Sequence, residues 1–451
     1  MPALALTDRD GLYGAFRHAQ ACTEAGLKPI LGADLALRDA PGHQVAPGAA
    51  LEWARQATRV TLLAEGRQGW ASLCRLVTAA HAGTTDHGVT PVHAEADVGT
   101  RASANVSPAV TPGLIARHAV GLILLLGPAS DVGQAVAARR LDLARSALDS
   151  WRDLGVEVAI EVVDHLDAPG STHRAARMAQ LAQQANVPAV LTNAVRYLAP
   201  ADSPVAQVLD AARHLVPLGS PKLSSQAHNG HAFLASPAYM SAVAGRIAES
   251  FTSSARTLLR ETEELALRCR LDPAADLGIG RHHLPEASTL YLGLYRSAQQ
   301  ELRGRCEDAL AAGRYQSAVA RQRSASRARR AARERLDQEL EIIARTGTAS
   351  YFLTVTDIAD RIKARGIRCA IRGSGAGSFV NHLLGISAID PLEHGLLMER
   401  FLSPVRMTLP DIDLDVESAR RLEAYQVIFD RYGAERAACV SMMETYRARS
   451  A

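Results

Sequence analysis

The chain contains the stretch Arg372-Gly373-Ser374-Gly375-Ala376-Gly377-Ser378 and, further on, the stretch Leu409-Pro410-Asp411-Ile412-Asp413-Leu414-Asp415. Glycines in the first stretch let the main chain approach a phosphate closely and adopt positive φ, and an arginine stands beside them. The aspartates of the second stretch alternate with apolar residues. This alternation predicts a strand with three carboxylates on one face, neighbours lying roughly 6.5 to 7 Å apart. Carboxylates so placed can share divalent cations that assist in-line attack on a phosphate, so the two stretches together indicate nucleotidyl transfer.

Each stretch also has a plainer interpretation. Loops of glycine and serine are more often turns than phosphate sites, and this loop lacks the Gly-Lys-Ser/Thr ending of an ATPase loop. Alternating aspartates also protect an edge strand from aggregation. A calcium loop fits poorly, because Ile412, Leu414 and Val416 favour a strand over a turn. The two stretches favour a phosphate-handling site only in combination.

Composition sets wider bounds on the class of protein. The chain has 451 residues, enough for two or three domains, and its 47% hydrophobic content is ordinary for a folded protein. Six cysteines without a CxxC pair indicate neither a disulfide framework nor a zinc ribbon. The net charge of +3 does not by itself indicate a nucleic-acid partner. The sequence shows neither a leader peptide nor an apolar run of about 18 residues, so we expect a cytoplasmic protein without membrane contact.

The first half of the chain has the pattern of an α/β fold. Amphipathic helical patterns alternate with apolar runs that predict strands, at 4–8, 28–35, 60–64, 120–126, 156–163 and 189–192. Such alternation predicts parallel strands in a sheet or barrel. The stretch 84–111 is rich in Thr, Ser, Gly and Pro and predicts a surface loop. Helical patterns dominate from 201 to 271, and a looser segment at 272–285 predicts a domain junction.

The second half opens with long helical patterns that carry many arginines. Between Arg314 and Arg335 there are eight arginines against one acid, Glu334. The plain interpretation is a solvated helix surface, and the functional one is contact with a phosphate backbone. Aromatic residues do not alternate with these arginines, so a stacking platform for single strands is not indicated.

A series of short segments in the second half has a recognisable order: Arg372–Ser378, Leu384–Ile386, Ile389–Pro391, Gly395–Leu397, Glu399–Pro404, Pro410–Asp415 and Asp430–Gly433. Together they resemble the palm of the bacterial DNA polymerase III alpha subunit, a family C DNA polymerase. The N-terminal half contains segments that are similar to the PHP domain of the same family: Ala5–Asp8, Gly11–Gly14 and Gly26–Gly32. The resemblance covers nearly the whole chain and is closer to the error-prone accessory branch than to the main replicase.

The resemblance implies a DNA-directed DNA polymerase, a nucleotidyltransferase that performs template-directed DNA synthesis by two-metal chemistry in DNA replication or error-prone repair. Asp411 and Asp413 would bind the catalytic Mg²⁺ ions, whereas Asp415 matches a position not usually counted as catalytic. The triphosphate of the incoming nucleotide would be held by Arg372, Gly373 and Ser374. One departure from the family pattern is Ile371, where glycine is frequent, and a side chain there is expected to stiffen the entry of the loop.

The resemblance further implies a degenerate metal site in the PHP domain. The positions that match retained ligands are Asp8, Glu161 and His165, and the residues that replace ligands are Arg9, Ala194 and Arg196. Arginine has no lone pair to offer a metal ion, so we expect this PHP domain to be structural. For His165 a partly buried histidine on a loop is an equal alternative. We also expect Arg9 or Arg196 to pair with Asp8 or Glu161, a guanidinium standing in for the lost cation.

The expected architecture is α/β: a PHP-type distorted (β/α) barrel at 1–225, a helical connector at 226–285, and a mixed α+β polymerase palm at 286–451. Against the family pattern the chain looks truncated at both ends, without the first PHP strand, the third palm aspartate and the fingers. We therefore expect no measurable extension activity from the isolated chain. Implied partners are primer–template DNA, deoxynucleoside triphosphates, and a sliding clamp and other accessory proteins bound through regions outside the chain.

Two alternatives belong to other functional classes. A PHP phosphoesterase would need an intact ligand set, and the replacements at Arg9, Ala194 and Arg196 count against it. A non-catalytic DNA-binding remnant with a degenerate PHP phosphoesterase domain is the stronger alternative.

Overall fold

A computed structural model describes residues 2–38, 58–85, 88–89, 108–167, 169–220, 223, 229–250, 254–290, 297–314, 325–403, 409–433 and 436–437. The chain divides into two compact units, Met1–Gly280 and Arg281–Ala451. The predicted surface loop at 84–111 lies mostly outside the described residues. Arg321 and Arg323 of the arginine-rich stretch also lie outside the described residues.

The described part of the first unit contains strands at every place where an apolar run predicts one. In chain order the strands are β1 Ala3–Arg9, β2 Lys28–Ala36, β3 Arg59–Ala64, β4 Thr84–Thr85, β5 Gly88–Val89, β6 Leu122–Leu126, β7 Glu157–Val162 and β8 Ala189–Leu191. Six of them form one curled sheet, a half-barrel in the order β1-β2-β3-β6-β7-β8. The short strands β4 and β5 pair only with each other. The predicted α/β class with a PHP-type barrel is confirmed.

The direction of β3 differs from the expectation of parallel strands. β1 is parallel to β2, and β6, β7 and β8 are parallel to one another, but β3 runs antiparallel to both of its neighbours. An apolar run has the same pattern in either direction. Periodicity therefore locates a strand without fixing which way it runs.

Helices cover the sheet of the first unit: α1 Ala15–Glu24, α2 Gly66–His81, α3 Pro112–Arg117, α4 Asp131–Ala137, α5 Leu141–Asp153, α6 Ser171–Ala185, α7 Ser203–His214, α8 Pro237–Glu249 and α9 Ala255–Arg268. Three of them begin at a hydroxyl that accepts a backbone N–H, which satisfies an otherwise unpaired donor: Thr111, Ser130 and Ser236. Proline at the first helical position after Thr111 and Ser236 fits the same signal.

The core of the first unit lies on both faces of the sheet. Alternate residues of β6 face opposite sides, with Leu124 in the larger cluster and Leu125 in the smaller one. Helix α9 contributes Leu265 to the smaller cluster, and α8 contributes Ile247 to the larger one. Both helices thus pack within the first unit, although their residues fall in the predicted connector. The predicted boundaries at 225 and 285 stay predictions.

The second unit is helical around a small hairpin. Its helices are α10 Ala298–Ala311, α11 Ala325–Thr346, α12 Ala349–Ala364, α13 Phe379–Leu383 and α14 Arg421–Tyr432, and its strands are β9 Cys369–Arg372 and β10 Asp413–Val416. Phe352 of α12 and Phe379 of α13 are fully buried in one apolar cluster, which also contains Leu336, Leu340 and Ile412. Among all described residues, no helix combines the length and the apolar character needed to cross a membrane.

Two helical glycines give a matched test of packing in the first unit. A Cβ added at Gly69 of α2 would lie 2.0 Å from the backbone oxygen of Gly121, whereas a Cβ at Gly245 of α8 would meet no atom within 4 Å. We expect Gly69→Ala to lower the free energy of unfolding by roughly 1 to 3 kcal/mol through overpacking. We expect Gly245→Ala to raise it by about 0.5 to 1 kcal/mol. Urea denaturation followed by circular dichroism measures both, and equal effects would contradict this packing.

Candidate functional site

The β9–β10 hairpin brings the two decisive stretches of sequence together. The strands pair antiparallel, with Asp413 opposite Arg372 and Asp415 opposite Ala370. Ile412 is buried in the apolar cluster of the second unit and Leu414 packs against it, so the alternating aspartates face away from the core. The alternation predicted from the sequence is therefore present, although Asp411 precedes the strand rather than lying within it.

The glycine-rich loop begins directly beside the acidic strand. Gly373 follows Arg372 with φ of +74°, a conformation that costs other residues more than glycine. A Cβ built at Gly373 would lie 3.7 Å from Oδ2 of Asp413. Residues Gly373–Gly377 form one turn of 3₁₀ helix, and Ser374 is exposed on it. The start of the loop thus lies near the Asp413 carboxylate.

Arg372 is the counter-charge of this hairpin. Its guanidinium lies 3.6 Å from Oδ2 of Asp413 and 3.2 Å from Oδ1 of Asp415. The side chains of Arg372 and Asp415 are each 64% exposed, so these contacts are solvated and weak. Asp411 is exposed and has no hydrogen bond or ion pair with any described residue. The carboxylates of Asp411 and Asp413 are therefore open to a ligand.

Tyr351 of α12 fixes the start of the acidic strand. Its hydroxyl accepts a hydrogen bond from the backbone N–H of Ile412 at 2.9 Å. Burial raises the pKa of the Tyr351 hydroxyl, and the negative charges of Asp411 and Asp413 raise it further. The hydroxyl thus stays protonated.

The far end of the loop is held by Glu339 of α11, which sequence reasoning missed. Glu339 is fully buried and accepts hydrogen bonds from the Ser378 hydroxyl at 2.8 Å, the Phe379 N–H at 2.9 Å and the Val380 N–H at 3.0 Å. Arg335 donates to the same carboxylate at 2.8 Å and also to the backbone oxygen of Gly377 at 3.0 Å. The only sequence signal is the four-residue spacing of an arginine and a glutamate on one helix.

The donor set at the hairpin fits a hard divalent cation. Carboxylate oxygens are the ligands that Mg²⁺ prefers, and Asp411 and Asp413 offer them two residues apart beside a loop of small residues. Among the described residues, no group of three His, Cys, Asp or Glu side chains converges on one point. Two carboxylates with substrate phosphates and water make a customary Mg²⁺ shell.

The structure does not bring the predicted PHP ligands together. Asp8 lies opposite Ala33, which belongs to the larger core, and its carboxylate accepts the backbone N–H of Gly14 at 2.5 Å. Glu161 lies opposite Val190, which belongs to the smaller core. Because side chains of a strand alternate between faces, Asp8 and Glu161 point to opposite sides of the sheet.

The expected ion pairs of Arg9 and Arg196 with Asp8 or Glu161 are wrong. Arg9 lies 3.7 Å from Asp10, and Arg196 donates two hydrogen bonds to Asp210 of α7, at 2.8 and 3.0 Å. Ala194, the third residue that replaces a metal ligand, lies two residues before Arg196 and has a φ of +35°.

Both carboxylates are satisfied without an arginine. Asp8 is held by Gly14, and Glu161 accepts the Thr192 hydroxyl at 2.6 Å. Burial raises the pKa of Glu161, Thr192 lowers it and the charge of Asp34 raises it again, with a net upward shift. The upward shift of the pKa favours the protonated carboxyl, which needs no counter-charge.

Arg59 of β3 supplies positive charge on the face of the sheet that carries Asp34 and Glu161. Its Nε donates to Asp34 at 2.8 Å and its terminal nitrogen donates to Asp10 at 2.8 Å. Arg59 is only 8% exposed, and its partners are 25 and 49 residues away in the chain. The guanidinium thus bridges the carboxylates of Asp34 and Asp10, and it offers a metal ion no lone pair. This face does not fit a metal.

His165 follows the plain interpretation of a partly buried histidine. Its Nε2 lies 2.8 Å from the backbone oxygen of Asn193, so that nitrogen carries the proton. Burial lowers the pKa of His165, which keeps the ring neutral near pH 7. The ring is thereby anchored to the segment that follows β8.

Comparison with known proteins places the two units in one family. Residues 1–165 match the PHP domain, and residues 302–451 match the bacterial DNA polymerase III alpha NTPase domain. The chain therefore combines these two domains and belongs to the family of DNA polymerase III alpha-like proteins.

Within that family the chain is similar to error-prone DNA polymerases. It is 32% identical to that of Symbiobacterium thermophilum, 31% identical to that of Nocardia farcinica and 33% identical to that of Anaeromyxobacter sp. strain K. Each match covers 100% of this chain and, respectively, 37%, 39% and 41% of the relative. The chain thus spans about two fifths of the length of these curated relatives. The resemblance stated from the sequence, including its error-prone branch, is confirmed.

The role of Glu339 can be tested with a neighbour on the same helix. We expect Glu339→Gln to lower the free energy of unfolding by roughly 3 kcal/mol, because an amide offers one acceptor to three buried donors and leaves Arg335 uncompensated. Glu341→Gln, at an exposed position, should change it by less than about 0.5 kcal/mol. Amide exchange at Phe379 and Val380 should accelerate only in the first variant. Unchanged exchange there would contradict the assignment.

The raised pKa of Glu161 predicts an unusual pH dependence of stability. A raised pKa means that the folded state holds a proton that the unfolded state releases above about pH 4.5, so this group's contribution to stability is lost as pH rises through the folded pKa. Glu161→Gln mimics the protonated acid and should unfold at a higher urea concentration than the wild type at pH 7.5. The difference should vanish towards pH 4.

A matched control for that comparison lies on the same strand. Glu157 is paired with Arg268 at 2.7 Å, and Glu157→Gln should leave stability unchanged or slightly lower at pH 7.5. Destabilisation of the chain by Glu161→Gln at pH 7.5 would show that Glu161 is ionised there.

Proposed function

We propose that the second unit performs template-directed DNA synthesis by two-metal nucleotidyl transfer, as part of an error-prone DNA polymerase. The observations that support this most are the position of Gly373 next to Asp413 and the contact of Arg372 with Asp413, since a loop of small residues beside carboxylates suits a triphosphate with its metal ions. The match to the polymerase III alpha domain and the names of the relatives support the same choice.

Asp411 and Asp413 hold the magnesium ions in this proposal, and Asp415 stays outside the ligand set. Bound magnesium supplies the charge stabilisation that the attacking and leaving oxygens need. Ile412, buried between the two aspartates and tied to Tyr351, keeps both carboxylates turned to the same side. Their orientation is thus built into the fold before any ligand arrives.

Arg372, Gly373 and Ser374 receive the triphosphate of the incoming nucleotide. Glu339 already uses the N–H groups of Phe379 and Val380, so phosphate contact falls to the exposed first turn of the loop. The solvated contacts of Arg372 with Asp413 and Asp415 hold its side chain nearby and cost little to exchange for a phosphate. Arginine is suited to such contact because its planar fork matches phosphate oxygens.

The surrounding assignments follow from the same proposal. The cofactor is Mg²⁺, the substrates are primer–template DNA and deoxynucleoside triphosphates, and the setting is the cytoplasm. A sliding clamp and other accessory proteins are the partners of the whole polymerase. The PHP domain has a structural role in this proposal, since Arg59 bridges Asp10 and Asp34 and burial raises the pKa of Glu161.

The direct test of this proposal is magnesium-dependent nucleotide binding by the purified chain. We expect a deoxynucleoside triphosphate to bind in the presence of Mg²⁺ and to bind at least about tenfold more weakly to Asp411→Asn/Asp413→Asn, a loss of 1.4 kcal/mol or more. Isothermal titration calorimetry measures both affinities.

Asp415→Asn is the matched control, because Asp415 shares the strand, the outward face and the Arg372 contact. It should bind nucleotide within about twofold of the wild type. Equal binding by the double variant and the wild type would refute the metal assignment. A chain that binds DNA but no nucleotide would favour the non-catalytic DNA-binding alternative.

A further inference from the structure

Helix α11 begins with a group of arginines that the proposed function has not used. Arg327, Arg329 and Arg333 are exposed, and none of them has a hydrogen bond or ion pair with another residue in the described part of the chain. We call these three the arginine face. Arg330 between them is also exposed but pairs with Glu334 at 2.9 Å.

The arginine face has a definite size. With 1.5 Å of rise and 100° of turn per residue, its three side chains extend about 9 Å along α11 and over about 160° of its circumference. Ala332 is the first residue of α11 described as buried, so the turn that carries Arg327 and Arg329 reaches beyond the apolar core. The three arginines therefore present a broad cationic surface to solvent.

Unpaired arginines in this position oppose helix formation. Arg329 and Arg333 are four residues apart, a spacing at which like charges repel, and the first turn contains no acid. Several other exposed arginines of the unit have acidic partners. Arg303 pairs with Asp337 at 2.9 Å, and Arg420 pairs with Glu423 at 2.7 Å. The fold neutralises those charges internally, whereas the arginine face is left for an external anion.

We propose that the arginine face binds the phosphodiester backbone of double-stranded DNA without regard to sequence. A duplex presents one charge per about 1.7 Å of its axis, so irregularly spaced guanidinium groups each find a phosphate. Helix α11 contains no aromatic residue that would stack on unpaired bases, which disfavours single strands. This proposal rests on the polymerase function only for the choice of DNA as the partner.

The test compares two triple variants with the same change in net charge. Arg327→Gln/Arg329→Gln/Arg333→Gln removes the arginine face. Arg303→Gln/Arg305→Gln/Arg420→Gln removes three exposed arginines that are already paired. Binding to a fluorescein-labelled duplex is measured by anisotropy between about 50 and 200 mM salt, in EDTA. Each phosphate contact contributes about 0.9 to the slope of log affinity against log salt.

We expect the first variant to lose about 2 to 3 units of that slope and the second to lose less than about 1. Equal losses, or no loss in either, would overturn the proposal. The triple Arg→Lys variant of the arginine face should keep the slope, which also covers the case in which the glutamine variant misfolds. Competition by polyglutamate as strong as competition by unlabelled duplex would instead assign the face to an acidic protein.

The same assay separates this proposal from the proposed function. EDTA removes magnesium, so Asp411→Asn/Asp413→Asn should bind the duplex with the wild-type slope even if nucleotide binding is lost. A wild-type chain that binds the duplex but fails to bind nucleotide would sink the nucleotidyl-transfer proposal alone. A chain that binds nucleotide, but whose slope of log affinity against log salt is the same with and without the arginine face, would refute only the proposal for the arginine face.

Discussion

Glu339 accepts three hydrogen bonds from Ser378, Phe379 and Val380 while Arg335 balances its charge, and the arrangement of the second unit depends on this buried carboxylate. A charge removed from water is tolerated only when its donors are complete, so the side chain fixes where the end of the loop sits relative to α11. The other end of the loop is fixed by the β9–β10 ladder at Arg372. Held at both ends, the exposed first turn is kept beside the outward carboxylates.

The first unit handles its carboxylates by two other means. Asp10 and Asp34 share the guanidinium of Arg59, a fixed cation in place of an exchangeable one. Glu161, on the same face as Asp34, instead has a raised pKa, because burial disfavours its charged form. Neither arrangement needs a metal ion. Both features fit the proposed structural role of the PHP domain.

The sequence predicted elements and local faces well because those depend on neighbouring residues. Apolar runs located β1, β2, β3, β6, β7 and β8, and the alternation after Leu409 located the outward aspartates. Long-range partners escaped prediction. Arg59 meets Asp10 across 49 residues, and Glu339 meets Ser378 across 39, distances at which spacing carries no signal. The same limit explains why the expected partner of Arg196 was wrong. Its partner is Asp210, which lies close to Arg196 because of where α7 is placed.

The most direct measurement is paramagnetic broadening of backbone amide signals by Mn²⁺ as a substitute for magnesium. The central claim is that divalent cations bind at Asp411 and Asp413 beside the loop, and not on the charged face of the first unit. It predicts selective broadening at Gly373 and Ser374, abolished in Asp411→Asn/Asp413→Asn, with the signals around Asp34 and Glu161 unaffected. Broadening around Asp34 and Glu161, with the loop signals sharp, would contradict it.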